Sequence, residues 1–148
     1  MTAKTIPAVG EVYLGGSPHP LKVMKCTYGF STALDVQPTA GVTSTKTLFT
    51  IPAGCLVDHM LFYVATAFNT SLISIGDTDN VSGWFPHTSD EMKSAAFYGN
   101  SLNCTEPISV FKAGKYYAAA GTIKALNAAA VTTGAIHVYL YYTMAPKQ

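Results

Sequence analysis

The chain contains no arginine. Nine lysines stand against eight acidic residues for a net charge of +1, and charged residues fill only 11% of the 148 positions. An ordinary soluble domain carries roughly 25%. Arginine supplies the bidentate contacts to phosphate and guanine on which nucleic-acid recognition leans, so no nucleic-acid partner is expected. Scarce charge beside 49% hydrophobic residues also excludes intrinsic disorder, which needs the opposite balance. Long apolar runs are missing too. None approaches the ~18 residues of a membrane-spanning helix, the longest being broken by Gly, Asp or His. The opening MTAKTIPAVGEVYLGG lacks the continuous apolar core of a signal peptide, so neither a membrane nor secretion is expected. Cysteine is sparse: Cys26, Cys55 and Cys104 are widely spaced, with no CxxC and no His at zinc-finger spacing. They read as reduced thiols serving as small core residues. One disulfide with a thiol left over is the alternative, and spacing picks no pair.

Catalytic signatures are equally absent. His19, His59, His87 and His137 show none of the H-E-x-x-H, H-x-H or His-x₃-His spacings of a metal site. Asp58 and His59 are neighbours in a predicted strand, so their side chains should point to opposite faces and form no dyad. There is no G-x-S-x-G elbow and no phosphate-cradling glycine loop. The expectation is a protein that is not an enzyme and holds no cofactor or metal. Asp77-Thr78-Asp79-Asn80 could in principle hold calcium. An EF-hand counted from Asp77 requires Gly and Glu where Ser82 and Thr88 stand, so the loop reads as a solvated acidic turn. Trp84-Phe85-Pro86 and Tyr98 could stack on sugars, but aromatics of this kind read first as core or subunit interface. The sequons at Asn69, Asn80 and Asn103 are what abundant Ser and Thr produce by chance.

What is present is strand after strand. The length fits one domain with a sizeable core. Residues 1–20 carry Pro7, Gly10, Gly15, Gly16, Pro18 and Pro20, which predicts an extended N-terminal arm ahead of a domain spanning 21–148. Strands are expected at 21–28, at 45–51 up to the Pro52-Ala53-Gly54 turn, and at 55–64. In the last of these Leu56, Met60, Phe62 and Val64 should share one face, with Val57, Leu61 and Tyr63 on the other. Further strands are expected at 72–76, 108–111, 116–126 and 135–142, and residues 94–98 read as a helical turn or an edge strand. The alanine triplets at 118–120 and 128–130 favour helix by propensity, but Gly121, Asn127 and the β-branched Val131, Thr132 and Thr133 turn the balance to strand and loop. Residues 135–142 alternate cleanly, with Ile136, Val138 and Leu140 on one face and His137, Tyr139 and Tyr141 on the other. Short strands with turn signals every eight to twelve residues indicate an all-β chain, an antiparallel β-sandwich or jelly-roll-like domain.

Two stretches carry a family resemblance. One is Phe49-Thr50-Ile51-Pro52-Ala53-Gly54, with Thr66-Ala67-Phe68-Asn69 and Ile75-Gly76-Asp77-Thr78-Asp79 after it. The other runs from Gly114-Lys115-Tyr116 to Thr133-Gly134-Ala135-Ile136-His137-Val138-Tyr139-Leu140-Tyr141-Tyr142. Their order resembles capsid decoration (cement) proteins and related virion β-sandwich modules of tailed bacteriophages, over about residues 46–142. The motifs are strand-and-turn patterns, and the arm has no counterpart in the resemblance. It implies a jelly-roll-like subunit, trimeric in preference to dimeric, made in the host cytoplasm and seated on the outer capsid surface across neighbouring major capsid proteins.

The composition points the same way on its own terms. Low charge with abundant apolar and Tyr side chains suits obligate interfaces, and a Pro/Gly arm suits a segment that orders against a partner. The expected subunit interface is His137, Tyr139 and Tyr141. The expected capsid-contacting residues of the arm are Ile6, Val9, Val12, Tyr13 and Leu14. The competing reading is a receptor- or carbohydrate-binding tail or fibre module using Trp84, Phe85 and the acidic loop, or a tail or baseplate assembly protein.

Overall fold

A computed structural model describes residues 11–14, 21–30, 44–70, 72–85, 90–99, 111, 113–129 and 131–145. Among the described residues, nine strands run in the order β1 (Glu11–Leu14), β2 (Leu21–Gly29), β3 (Ser44–Ile51), β4 (Cys55–Thr66), β5 (Ile73–Gly76), β6 (Phe97–Gly99), β7 (Lys115–Tyr117), β8 (Gly121–Asn127) and β9 (Ala135–Met144). The helical piece among the described residues is one 3-10 turn, Asp90–Lys93. All pairings are antiparallel. The larger sheet is ordered β1-β2-β9-β4-β6, with β7 also on β4, and the smaller is β3-β8-β5. The chain is an all-β sandwich, as its turn spacing predicts.

One core lies between the sheets. The larger contributes Tyr28, Val57, Met60, Phe62, Val64, Ile136, Val138 and Leu140, and the smaller contributes Phe49, Ile51, Ile73, Ile75 and Ile123. The alternation of β9 holds residue by residue: Ile136, Val138 and Leu140 are fully buried, while His137, Tyr139 and Tyr141 face away and are half-buried.

Several expectations need correction. Glu11–Leu14, inside the expected arm, is an edge strand paired with Leu21–Met24. Val12, Tyr13 and Leu14 therefore extend the larger sheet, while Ile6 and Val9 lie outside the described residues, as do His19, His87, Cys104 and most of the expected strand at 108–111. The expected strand at 116–126 is two: β7 belongs to the larger sheet, and after a bend at residues 118–120 the chain enters the smaller sheet as β8. Trp84 and Phe85 follow no regular strand yet are fully buried, because Ile75 exchanges backbone bonds with Trp84 and Phe85 and pulls the loop under the sheet edge. That burial removes both rings from the sugar-stacking reading. Cys26 and Cys55 are free thiols. Burial raises both, and pushes Cys55 up to about 11.

The largest correction is in β4. Its pairing with β9 steps from Val57↔Tyr142 to His59↔Tyr141, so Asp58 is the extra residue of a β-bulge. The inward parity switches there: Cys55 and Val57 point in before the bulge, Met60, Phe62 and Val64 after it. Leu56 therefore faces outward instead of sharing the core face with Met60. The bulge also turns Asp58 and His59 to the same side, where His59 Nδ1 donates to Asp58 Oδ2 at 2.6 Å, the contact that strict alternation forbids.

Candidate interaction surface

The outward face of the larger sheet is built from rows that cross the strands. Register places Thr27, His137, Tyr63 and Phe97 in one row, then Lys25, Tyr139 and Leu61, then Val23, Tyr141 and His59, and finally Thr143, Leu56 and Tyr116. Rings on adjacent strands stack on one another. His59 lies 4.3 Å from Tyr141, Tyr63 lies 4.5 Å from Phe97, and Tyr63 lies 5.9 Å from His137, all near parallel. Strands sit about 4.8 Å apart, so rings stacked between them stand upright and shield one another's faces. That accounts for the half-burial of Tyr63 and Tyr141. Lys25 Nζ sits 5.5 Å above the Tyr139 ring, and His137 Nδ1 is hydrogen-bonded to Thr27 Oγ1 at 2.8 Å. Three large apolar side chains remain open on the same face: Phe97 at 60%, Tyr116 at 54% and Leu56 at 39% exposure.

The smaller sheet turns a different face outward. Thr45, Thr47, Thr50, Thr122 and Lys124 dominate it, side chains that water satisfies. The two faces are thus chemically unlike, one aromatic and sparsely charged, the other hydroxyl-rich. The structure brings His137, Tyr139 and Tyr141 together as expected, and it adds His59, Leu61, Tyr63 and Phe97. Leu61 and Tyr63 stand, as expected, on the face of β4 opposite Met60 and Phe62, which His59 interrupts; the bulge hid that Val57 leaves this face, and Phe97 lies on the short edge strand β6. A change of inward parity within one apolar strand, at a polar Asp-His pair, was the available signal.

The acidic loop after β5 is a latch rather than a solvated turn. Asp77 is 5% exposed. Its Oδ1 accepts from the backbone N–H groups of Asp79 and Asn80, both at 3.0 Å. Its Oδ2 accepts from Lys115 Nζ at 2.6 Å and from the Tyr117 hydroxyl at 2.7 Å. Lys115 also reaches Asp79 at 2.7 Å and lies over the Phe111 and Tyr117 rings. Trp84 Nε1 donates to the Tyr117 oxygen at 3.4 Å. Burial alone would raise the Asp77 carboxyl, but the Lys115, Tyr117 and Asn80 hydrogen bonds and the lysine charge outweigh it and hold it below the usual carboxylate range. Burial, then the bond to Asp77, pushes the Tyr117 phenol well up. Each oxygen of Asp77 accepts two hydrogen bonds, so this carboxylate is committed to the latch. Among the described residues no three His, Cys, Asp or Glu side chains gather as metal ligands.

No protein-family model and no curated protein sequence matches this chain. In three dimensions it is similar to a chain described as "Cyanophage Pam1 capsid asymmetric unit". The TM-score is 0.53 and the identity 16%, over 97% of this chain and 99% of that one. At that identity the likeness is one of fold.

Proposed function

We propose that this protein is a structural component of a phage capsid, a decoration subunit that stabilises the shell by bridging neighbouring major capsid proteins from the outer surface. The observation that carries the reading is the pairing of the aromatic outer face with a whole-chain fold likeness to a capsid chain. Coverage is nearly complete in both directions, so the similar chain is of about this length. A decoration role suits a subunit of that size. The subunit self-associates, as a trimer in preference to a dimer, and works without chemistry, cofactor or metal. It adds buried contact across capsomer seams, so that expansion of the shell must also break those contacts. Ligand that binds only the assembled lattice stabilises it by mass action, and several copies per assembly raise the avidity.

The test is co-sedimentation of the purified full chain with empty shells of the cognate major capsid protein that lack it. Saturable binding at hundreds of copies per shell, with a raised shell melting temperature, is the expected result. Binding to host cells or glycans with no shell binding, or tens of copies or fewer per virion, overturns it in favour of a tail or receptor module.

A further inference from the structure

We propose that the aromatic outer face of the larger sheet is covered by a second copy of this chain. The inference deepens the self-association proposed above by assigning it a surface and a charge code.

Size is the first argument. From Thr143 to His137 the face runs six residues along β9, and it crosses four strands from β2 to β6. At ~3.4 Å per residue and ~4.8 Å per strand, with side-chain margins, the footprint is roughly 20 by 25 Å. Two such faces amount to about 1,000 Å² buried in total, the lower bound of a specific interface.

Stiffness is the second. Upright, mutually stacked rings have few alternative rotamers, so docking on them immobilises little that was free before. Aromatic side chains of this kind are the usual anchors of an interface.

Charge selects the occupant. Among the described residues the face carries one cation on one flank and one anion on the other: Lys25 on β2 and Asp58 on β4, with β9 between them. A nucleic acid or a strongly charged protein surface would call for a patch of one sign. A second copy meets this pattern by presenting its β4 flank to the first copy's β2 flank, so that Asp58 of one faces Lys25 of the other. A face buried against its own copy is a two-fold contact, with the axis along the strands, and it makes the Asp58–Lys25 pairing twice; a trimer would need a second surface besides this one.

Sedimentation equilibrium of the full chain tests this, alongside shell co-sedimentation on the same samples. Wild type should be oligomeric at micromolar concentration. Tyr139→Glu and Tyr63→Glu should each raise the dissociation constant by at least about tenfold, while Thr50→Glu on the exposed opposite face should leave it unchanged. Lys25→Asp and Asp58→Lys should each weaken assembly, and the double swap should recover most of it. Circular dichroism and melting temperature establish that each variant is folded. The proposal falls if the wild type is a monomer at ~50 μM, or if the folded tyrosine variants assemble as tightly as wild type. It falls also if the double swap is no better than the single ones. A monomer that loses shell binding on Tyr139→Glu assigns the face to the capsid protein instead. An oligomer that behaves as described but never binds shells sinks the capsid reading and leaves this one standing.

Discussion

Replacing Asp77 with alanine removes four hydrogen bonds at once, and the size of the loss can be worked out from their kinds. The bonds from Lys115 and Tyr117 are charge-assisted, short and sheltered, with only 3% of the Asp77 side chain and 17% of the Lys115 side chain exposed. Together they contribute on the order of 2–3 kcal/mol. The two backbone N–H groups of the turn add about 0.5 kcal/mol each, since the loop rim lets water replace part of what is lost. Asp77→Ala should therefore cost about 3–4 kcal/mol, in line with breaking one side of a buried ion pair. In a domain of this length that corresponds to a melting temperature lower by roughly 8–14 °C. Asp77→Asn keeps an acceptor for the turn but not the charge, and should cost about 2 kcal/mol. The sign with pH is fixed as well. A carboxyl whose folded value is depressed contributes fully above the ordinary range and loses that contribution as pH falls below about 4. Urea unfolding at pH 7 and at pH 3 measures both effects, and the gap between wild type and Asp77→Asn should narrow at the lower pH. A loss below about 1 kcal/mol for Asp77→Ala, or a gap that does not narrow with acid, refutes the latch.

Val138→Ala should lower subunit stability by about 1–3 kcal/mol, read from urea unfolding, because the side chain is fully buried in the core. Gly76→Ala should yield little folded protein by circular dichroism of the soluble fraction, since a Cβ there would sit 2.1 Å from the Asn80 carbonyl oxygen and 2.3 Å from the Val81 carbonyl carbon, both backbone. Cys55, fully buried and with its thiol pushed up to about 11, should react with a thiol-directed disulfide reagent at neutral pH only after denaturation. Above pH 10 wild-type stability should decline as Tyr117, held neutral in the fold, ionises in the unfolded chain; Tyr117→Phe should reduce that slope.

Much of the architecture was legible because period-two alternation is a local property. β9 could be read residue by residue, since its inner and outer sets differ in character as well as position. β4 could not, because its apolar residues occupy both parities and the step between them sits at Asp58, where the need to pair with β9 around a bend decides the geometry. The long-range contacts were invisible for a different reason. Asp77 and Lys115 are 38 positions apart, and nothing in either neighbourhood announces the other; the Asx turn that Asp77 makes with Asp79 and Asn80 was the one local trace. Trp84 and Phe85 looked like loop residues because their burial depends on three backbone bonds to Ile75 rather than on any pattern of their own. Glu11–Leu14 is too short to show periodicity and becomes a strand by borrowing the edge of β2.

The central place of β9 in the larger sheet has a consequence for how the protein is made. β2 and β4 are separated by residues 135–144 and do not pair with each other. During synthesis at ~5–20 residues per second, the 69 positions from the end of β4 to the start of β9 take about 3–14 s. Throughout that interval both strands carry open edges toward the gap that β9 will fill, and folding must then wait on pairings of very high sequence separation. A chain stalled or cut anywhere before residue 135 is left with two sticky edges, a substrate for aggregation or proteolysis. Completion of the last strand thus acts as a licensing step for folding, closing the larger sheet only in chains whose translation has run past it.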